Sequence, residues 1–294
     1  MTTAQIKELI EVGSSLKDIA SSYTEIASIK LRKIRSSVER NRQFYDELTR
    51  VYALINKIAA TKKIIPAPKP KKVISVLLTS NYRFYGNINN QLVQHFIVTN
   101  TKMASDKLVV GKTGRDYLKG IHYFHAYNPV IFKNDMPDDN ELKSLVKVLQ
   151  EYKQVLVFYP QFKRVLVQVP TVKDITQTQL LSLQEQSKPD QTDISFIFNQ
   201  KEFQTSFIFE PEIMKMLDFF DNQIKILLLE QTILESELAR TASRLIAMDQ
   251  AQSKAKDFIG NNKKALGQLR KSTYNARLLE TLATMSKWRK EKNA

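Results

Sequence analysis

All nine prolines of this 294-residue chain lie between Pro66 and Pro211. Proline lacks the amide proton and its ring clashes with the preceding turn, so a long helix excludes it. The two flanks can therefore be helical from end to end, and the middle cannot. Residues from about 4 to 63 carry only Gly13, and residues 211–294 only Gly260 and Gly267. Apolar residues in the C-terminal flank recur at steps of three and four: Leu217, Phe220, Ile224, Leu227, then Leu234, Leu238, then Leu245, Met248, then Ala255, Ile259, then Leu266, Leu269. That is a heptad seam, the mark of a helix that supercoils with a partner. A helix of this length reaches about 120 Å at 1.5 Å per residue, several times the width of a small domain. One core cannot bury it, so its ends must serve something outside the chain.

The N-terminal flank has its own rhythm: Leu9, Val12, Leu16, Ile19, Tyr23, Ile26, then Leu31, Ile34, Val38, then Tyr45, Leu48, Tyr52, Ile55. The simplest closure pairs the flanks as an antiparallel coiled coil, with residues 63 and 211 together. That register puts Tyr45 near residue 229 and Ile26 near Met248, and leaves the tip beyond about residue 270 without a partner. Gln231, Thr241, Gln252, Asn262 and Thr273 fall in the seam of the longer helix. Polar seam residues weaken pairing and fix its register. They are expected where the partner helix is thin or absent and other subunits take over.

The middle reads differently. Val73 to Thr79, Leu108 to Val110 and Val155 to Tyr159 are apolar runs of strand length; Val165 to Val167 with Val169 is a fourth candidate, and Ile194 to Phe198 and Thr205 to Phe209 are two more. Between them, Asn87 to Lys102 shows one apolar helical face, and Asp138-Asp139 precede Leu142, Leu145, Val146 and Leu149 as a helix cap. Strands alternating with helices give a largely parallel sheet. The expected fold class is α/β: a long antiparallel coiled coil of the N- and C-terminal helices plus a central Rossmann-like α/β domain. The segments are 1–65, 66–210 and 211–294.

The net charge of +15 favours an acidic partner, whether nucleic acid, an anionic membrane surface or an acidic protein face. The absence of cysteine excludes disulfides and thiolate chemistry. No apolar run approaches the roughly 20 residues of a membrane span. The N-terminus has no signal-peptide core, so the chain is expected in the cytosol. Gly111-Lys112-Thr113-Gly114 suggests a phosphate loop, but the first glycine of that motif would fall on Asp106, and Lys107 to Val110 read as a strand ended by a turn. His122 and His125 have metal-like spacing without further ligands nearby. No catalytic triad can be assembled. The expected tally is no catalytic residue, no cofactor and no metal.

Specific residues then carry a resemblance. Ala242 to Ala251 (ASRLIAMDQA) resembles the Arg-Met-x-Ala-Met-x-x-Ala signature of the γ subunit of F-type ATP synthases, and Ala255, Asp257-Phe258-Ile259, Arg270 and Glu280 continue it without a gap. Lys30-Leu31-Arg32-Lys33, Gly111-Lys112-x-Gly114-Arg115-Asp116, the skeleton Thr79-Ser80…Gly86…Asn89, and Phe209-Glu210-Pro211 are similar to further family stretches, in the family's order. The chain departs from the pattern at Asn81-Tyr82-Arg83-Phe84, where an acidic residue and a glycine are lost. It departs again at Tyr23, at Arg240 in place of a glutamate, at Lys271 in place of a glutamine, and at Asn275.

The resemblance implies a divergent, non-catalytic rotor shaft. It would turn inside a ring of catalytic and non-catalytic nucleotide-binding subunits, stand on a membrane-embedded c-type ring, and bind an ε-type subunit. Rotation would couple ATP synthesis or hydrolysis to ion transport, as a peripheral complex on the cytoplasmic side of the cell membrane, without insertion of this chain and without nucleic acid. By resemblance, Tyr23, Lys30, Arg244, Met248, Arg270, Lys271 and Glu280 face the nucleotide-binding ring, and Phe209 and Glu210 the membrane ring. Two alternatives stay open: the shaft of a paralogous F-type-like motor doing other mechanical work, and a coiled-coil nucleic-acid-binding protein. An enzyme built on the α/β domain comes third.

Overall fold

A computed structural model describes residues 2–61, 72–101, 103–123, 125–176 and 212–292. The proline-free flanks are each one helix, α1 (Thr3–Thr61) and α5 (Ile213–Lys292). Between them lie β1 (Val73–Leu78), α2 (Ile88–Asn100), β2 (Asp106–Val110), α3 (Lys112–Gly120), β3 (Asn128–Val130), α4 (Asp139–Gln150), β4 (Gln154–Arg164) and β5 (Val167–Asp174). The strand candidates at 194–198 and 205–209, and Phe209 and Glu210, lie outside the described residues.

The chain divides into two compact units, residues 31–243 and residues 1–30 with 244–294. In the first unit the five strands among the described residues are ordered β3-β2-β1-β4-β5. The first four are parallel, joined by α2, α3 and α4 as crossovers, and β5 returns antiparallel to β4. β1 lies in the middle of the sheet and is buried on both faces, which is why its sequence is a continuous apolar run rather than an alternation. Its residues still take sides at a period of two. Ile74, Val76 and Leu78 join Val155, Val157 and Tyr159 against Leu145, Val146 and Leu149 of α4, Tyr52 and Ile55 of α1, and the start of α5 from Ile213 to Ile233. On the other face Leu77, Val109, Leu156 and Phe158 pack on Leu92, Val93 and Phe96 of α2 and Leu118 of α3.

Two local expectations change. The strand candidate from Val165 to Val167 with Val169 is met by β5, which begins at Val167, while Val165 and Leu166 form the turn from β4, with Leu166 75% exposed. β1 stops pairing with β4 at Phe158, so among the described residues Pro160 has β5 alone as neighbour, and no described ladder partner needs its missing amide proton. After Gly111 the chain does not simply turn but enters helix α3. Pro129 is accommodated because β3 is the edge strand among the described strands. The expected cap of α4 is present: the Asp138 amide donates to Glu141 Oε2 at 2.9 Å. The Lys133 amide donates to the same carboxylate, and these two bonds hold the Glu141 carboxyl below its ordinary value.

In the unit of residues 1–30 with 244–294, the helices pair antiparallel, but α1 uses a different stripe. The buried positions are Ile6, Gly13, Ala20 and Ala27, a strict seven-residue repeat. The residues expected there are turned outward: Val12, Leu16, Ile19 and Ile26 are 51%, 57%, 54% and 55% exposed. The seam is displaced by one residue, a rotation of about 100°. From Gly13 to Ala27 its residues are small, and at Gly13 the helices approach closely. A Cβ on Gly13 would meet Ile259 Cγ1 at 3.0 Å and Phe258 Cδ1 at 3.1 Å. That meeting of 13 with 259 keeps the register expected from joining 63 to 211, as does Tyr52 against Phe220 in the other unit, with ring centroids 6.4 Å apart.

The two kinds of glycine in these helices should respond oppositely to substitution. Gly260→Ala and Gly267→Ala meet open space and should each stabilise by about 0.5–1 kcal/mol, the helical cost of glycine. Gly13→Leu should cost about 1–3 kcal/mol through overpacking. Thermal unfolding followed by circular dichroism measures both. Stabilisation by Gly13→Leu would contradict the small-residue seam.

Candidate functional site

α5 is buried on every face from Ser236 to Ala242. An amphipathic helix exposes one side, and a helix enclosed on all sides is expected to be apolar. This one carries polar side chains instead: Thr232, Ser236, Glu237, Arg240 and Thr241 are each 2% exposed or less. Thr241, expected to mark a thin place in the pairing, is therefore among the most enclosed residues of the helix. The enclosure comes from the loops at the carboxyl ends of the parallel strands.

Those loops meet α5 through a chain of directed hydrogen bonds. The Arg240 guanidinium donates through Nη2 and Nε to Glu237 Oε2, at 2.9 and 3.3 Å, and through Nη1 to the Thr79 carbonyl at 3.2 Å. Thr79 ends β1. Its hydroxyl donates to the Val110 carbonyl at 2.6 Å, at the end of β2, and accepts from the Gly114 amide at 3.0 Å, in the first turn of α3. One turn further along α5, the Ser243 hydroxyl donates to the Tyr85 carbonyl at 2.7 Å. The Tyr85 hydroxyl donates to Asp135 Oδ2, and Asp135 Oδ1 accepts from the Asn81 amide at 2.5 Å.

The family-like stretches Thr79-Ser80 and Gly111 to Gly114 thus converge here. Their chemistry is structural. Gly111 has φ +98°, and a Cβ there would lie 2.7 Å from the Thr79 carbonyl oxygen; one on Gly114 would lie 2.6 Å from Thr79 Oγ1. A phosphate loop must offer free amides at its helix N-terminus. Here Lys112 N donates to Asn81 Oδ1, Thr113 N to the Ser80 carbonyl, Gly114 N to Thr79 Oγ1 and Arg115 N to the Gly111 carbonyl. The first turn of α3 is consumed by the fold.

A second polar contact ties α5 to the β4–β5 hairpin. The Tyr159 hydroxyl donates to Glu235 Oε2 at 3.1 Å. Burial raises the Glu235 carboxyl above its ordinary value, and the Tyr159 hydrogen bond and the Lys173 charge draw it partway back. Burial likewise lowers the Lys173 ammonium and raises the Tyr159 hydroxyl.

The residues singled out by resemblance fall into two groups. Tyr23 and Arg244 meet directly, the guanidinium 5.8 Å from the ring centroid, a cation–π distance. Lys30 and Met248 are half-buried. Arg270, Lys271 and Glu280 stand in a stretch of α5, residues 270–285, that is exposed throughout. That stretch carries large apolar groups: Tyr274, Leu279, Leu282 and Met285 are each more than half exposed, as is Trp288 just beyond. Arg240, Glu237, Thr79, Tyr85, Asp135 and Ser243 were missed as a group. The signal was present in Ser236-Glu237-Leu238-Ala239-Arg240-Thr241-Ala242, where no long apolar stripe is offered and small residues sit all round the helix.

Comparison with known proteins agrees with the fold. A family model described as ATP synthase matches residues 2–286. The ATP synthase gamma chain of Clostridium botulinum (strain Kyoto / Type A2) is 23% identical over 287 residues, 94% of each chain. That of Psychrobacter arcticus is 22% identical over 293 residues, covering 94% of this chain and 97% of the relative. Among solved structures, a chain of the Euglena gracilis mitochondrial ATP synthase (OSCP/F1/c-ring) aligns with TM-score 0.56 at 14% identity, over 91% of this chain and 97% of that one. A chain of the Tetrahymena thermophila mitochondrial ATP synthase central stalk and c-ring aligns with TM-score 0.55 at 20% identity, over 79% and 99%.

Thr79 separates polar from apolar contributions to the site. Thr79→Val keeps the shape but leaves the buried Gly114 amide without an acceptor, at a cost of about 1–3 kcal/mol. Thr79→Ser keeps the hydroxyl and should cost less. Denaturant unfolding ranks them, and a larger loss for serine would mean that packing, not the hydrogen-bond chain, holds the site.

Proposed function

The chain belongs to the ATP synthase γ family, and on that premise we propose how its surfaces divide the work of a rotor. It is a divergent central-stalk subunit, itself non-catalytic. Its partners are the ring of alternating nucleotide-binding subunits of α and β type, an ε-type subunit and the c-type membrane ring. It is a peripheral subunit, and among the described residues no helix is long and apolar enough to cross a membrane. We place it on the cytoplasmic side of the cell membrane, as in a bacterial complex.

The unit formed by residues 1–30 and 244–294 is the part turned toward the nucleotide-binding ring. One observation carries this: it exposes two sets of large apolar side chains that an isolated soluble helix pair would bury. One is the outward stripe Val12, Leu16, Ile19 and Ile26 on α1, and the other the series from Tyr274 to Trp288 on α5. Apolar surface of that extent marks a surface for a partner. Tyr23, Lys30, Arg244, Met248, Arg270, Lys271 and Glu280 belong to the same unit and contribute the polar contacts to the ring. Phe209 and Glu210 are assigned to the membrane-ring side by resemblance alone. The net charge of +15 favours an acidic inner surface on the ring. Because the shaft presents different side chains to successive subunits, each orientation favours a different catalytic conformation, and rotation and nucleotide occupancy become coupled equilibria.

Leu16→Glu combined with Ile19→Glu tests the assignment. Both residues are exposed, so the isolated chain should change in stability by no more than about 0.5 kcal/mol per site. Co-expressed with the nucleotide-binding subunits, the variant should fail to copurify as a stoichiometric complex, while Leu166→Glu on the β4–β5 turn should copurify normally. Normal assembly of the double variant would contradict the placement of the stripe against the ring.

A further inference from the structure

We propose that Arg240 is the positioning residue that sets the rotational phase of α5 on the α/β domain. The inference rests on the rotor reading, since a shaft conveys rotation only if its phase on that domain is fixed.

Apolar packing is non-directional, and it sets the angle of a helix about its own axis less sharply than directed hydrogen bonds do. A change of phase by one residue turns a helix face through about 100°. The contacts that oppose it must have direction and must cross from helix to sheet. Arg240 has both properties. A guanidinium is planar, with donors in a fixed fork. Two of its nitrogens are held by Glu237, one turn earlier on the same helix, so the plane is fixed relative to α5. The third then points at one carbonyl, that of Thr79.

Thr79 is itself immobilised. Its amide and hydroxyl both donate to the Val110 carbonyl, at 2.9 and 2.6 Å, and its hydroxyl accepts from Gly114. The helix is thereby keyed to β1, β2 and α3 at once. Ser243, three residues on, adds a second directed contact to the Tyr85 carbonyl, so two adjacent points on α5 are referred to the same loops. Arg240 is 2% exposed and Glu237 fully enclosed, so water does not compete for these bonds. A lysine at this place carries the charge but not the fork, and cannot hold Glu237 and reach Thr79 in two fixed directions.

The test uses the assembled complex, with the nucleotide-binding ring fixed to a surface. A bead is attached through Lys133→Cys, a unique cysteine in a chain that has none and at a residue exposed on the α/β domain. With rotation stalled, the angular spread of the bead reports torsional stiffness between ring and domain. Arg240→Lys should widen the variance of that spread at least twofold. Leu217→Ala, which weakens the core away from the key, should leave it near the parent value even where its thermal midpoint is lower. Equal spread in Arg240→Lys and the parent, or widening that follows thermal midpoint alike in both variants, overturns the proposal. If Arg240→Lys does not assemble, Glu237→Leu with Arg240→Met, and Ser243→Ala, decide by the same criterion, because neither strands a buried charge. A parent chain that does not assemble or rotate would fail the rotor reading itself, which is a separate outcome.

Discussion

The structure of the α/β unit depends on one buried ion pair. Removing a carboxylate and a guanidinium from water costs several kcal/mol for each ion. Arg240 and Glu237 meet that cost through their mutual contact at 2.9 Å and through the hydrogen bond to the Thr79 carbonyl. The polar enclosure around α5 follows. Because the guanidinium must reach a backbone carbonyl, the loop after β1 must come close to the helix, and the glycines at 111 and 114 keep the adjoining loop close to Thr79. The helix must present small side chains there, hence Ser236, Ala239, Thr241 and Ala242. Breaking such a pair by removing one partner typically costs about 3–5 kcal/mol, so the site is a strong constraint even though it adds little net stability over an apolar equivalent. Its value is direction rather than energy.

The same trade between size and direction explains the helix pair of the other unit. Gly13, Ala20 and Ala27 allow close approach, and most of the larger side chains are turned away as a stripe that nothing in the described chain covers. A monomeric protein would gain by reversing that choice, since each fully buried Leu or Ile is worth about 1.5–3 kcal/mol. A subunit whose partners supply the missing contacts would not. Small inside and large outside is the signature of a helix pair completed by other chains.

Much of this fold was legible in the sequence. Proline placement set the limits of the two long helices, the apolar runs located β1, β2 and β4, and the register of 13 with 259 follows from joining the proline-bounded ends. The stripe on α1 was misread because apolar periodicity weights large residues, and Val12, Leu16 and Ile19 outweigh Gly13 and Ala20 in any such reading. The polar key was missed for a related reason. Glu237 and Arg240 stand three apart, like the exposed i,i+3 pairs common on helix surfaces. Only their burial sets them apart, and burial comes from loops about 160 residues away in the chain. Thr79-Ser80 and Gly111 to Gly114 were singled out by resemblance, yet what they touch is a tertiary fact.

The central claim is that α5 is locked by the sheet loops at residues 236–242 and bare beyond residue 270. Native-state hydrogen exchange on the isolated full-length chain tests it most directly. Amides from Ser236 to Ala242 should exchange only through global unfolding and be among the slowest in the protein, while those from residue 270 to 285 exchange through local fraying, orders of magnitude faster. Uniform protection along α5, or faster exchange at 236–242 than in the neighbouring turns, would contradict the account.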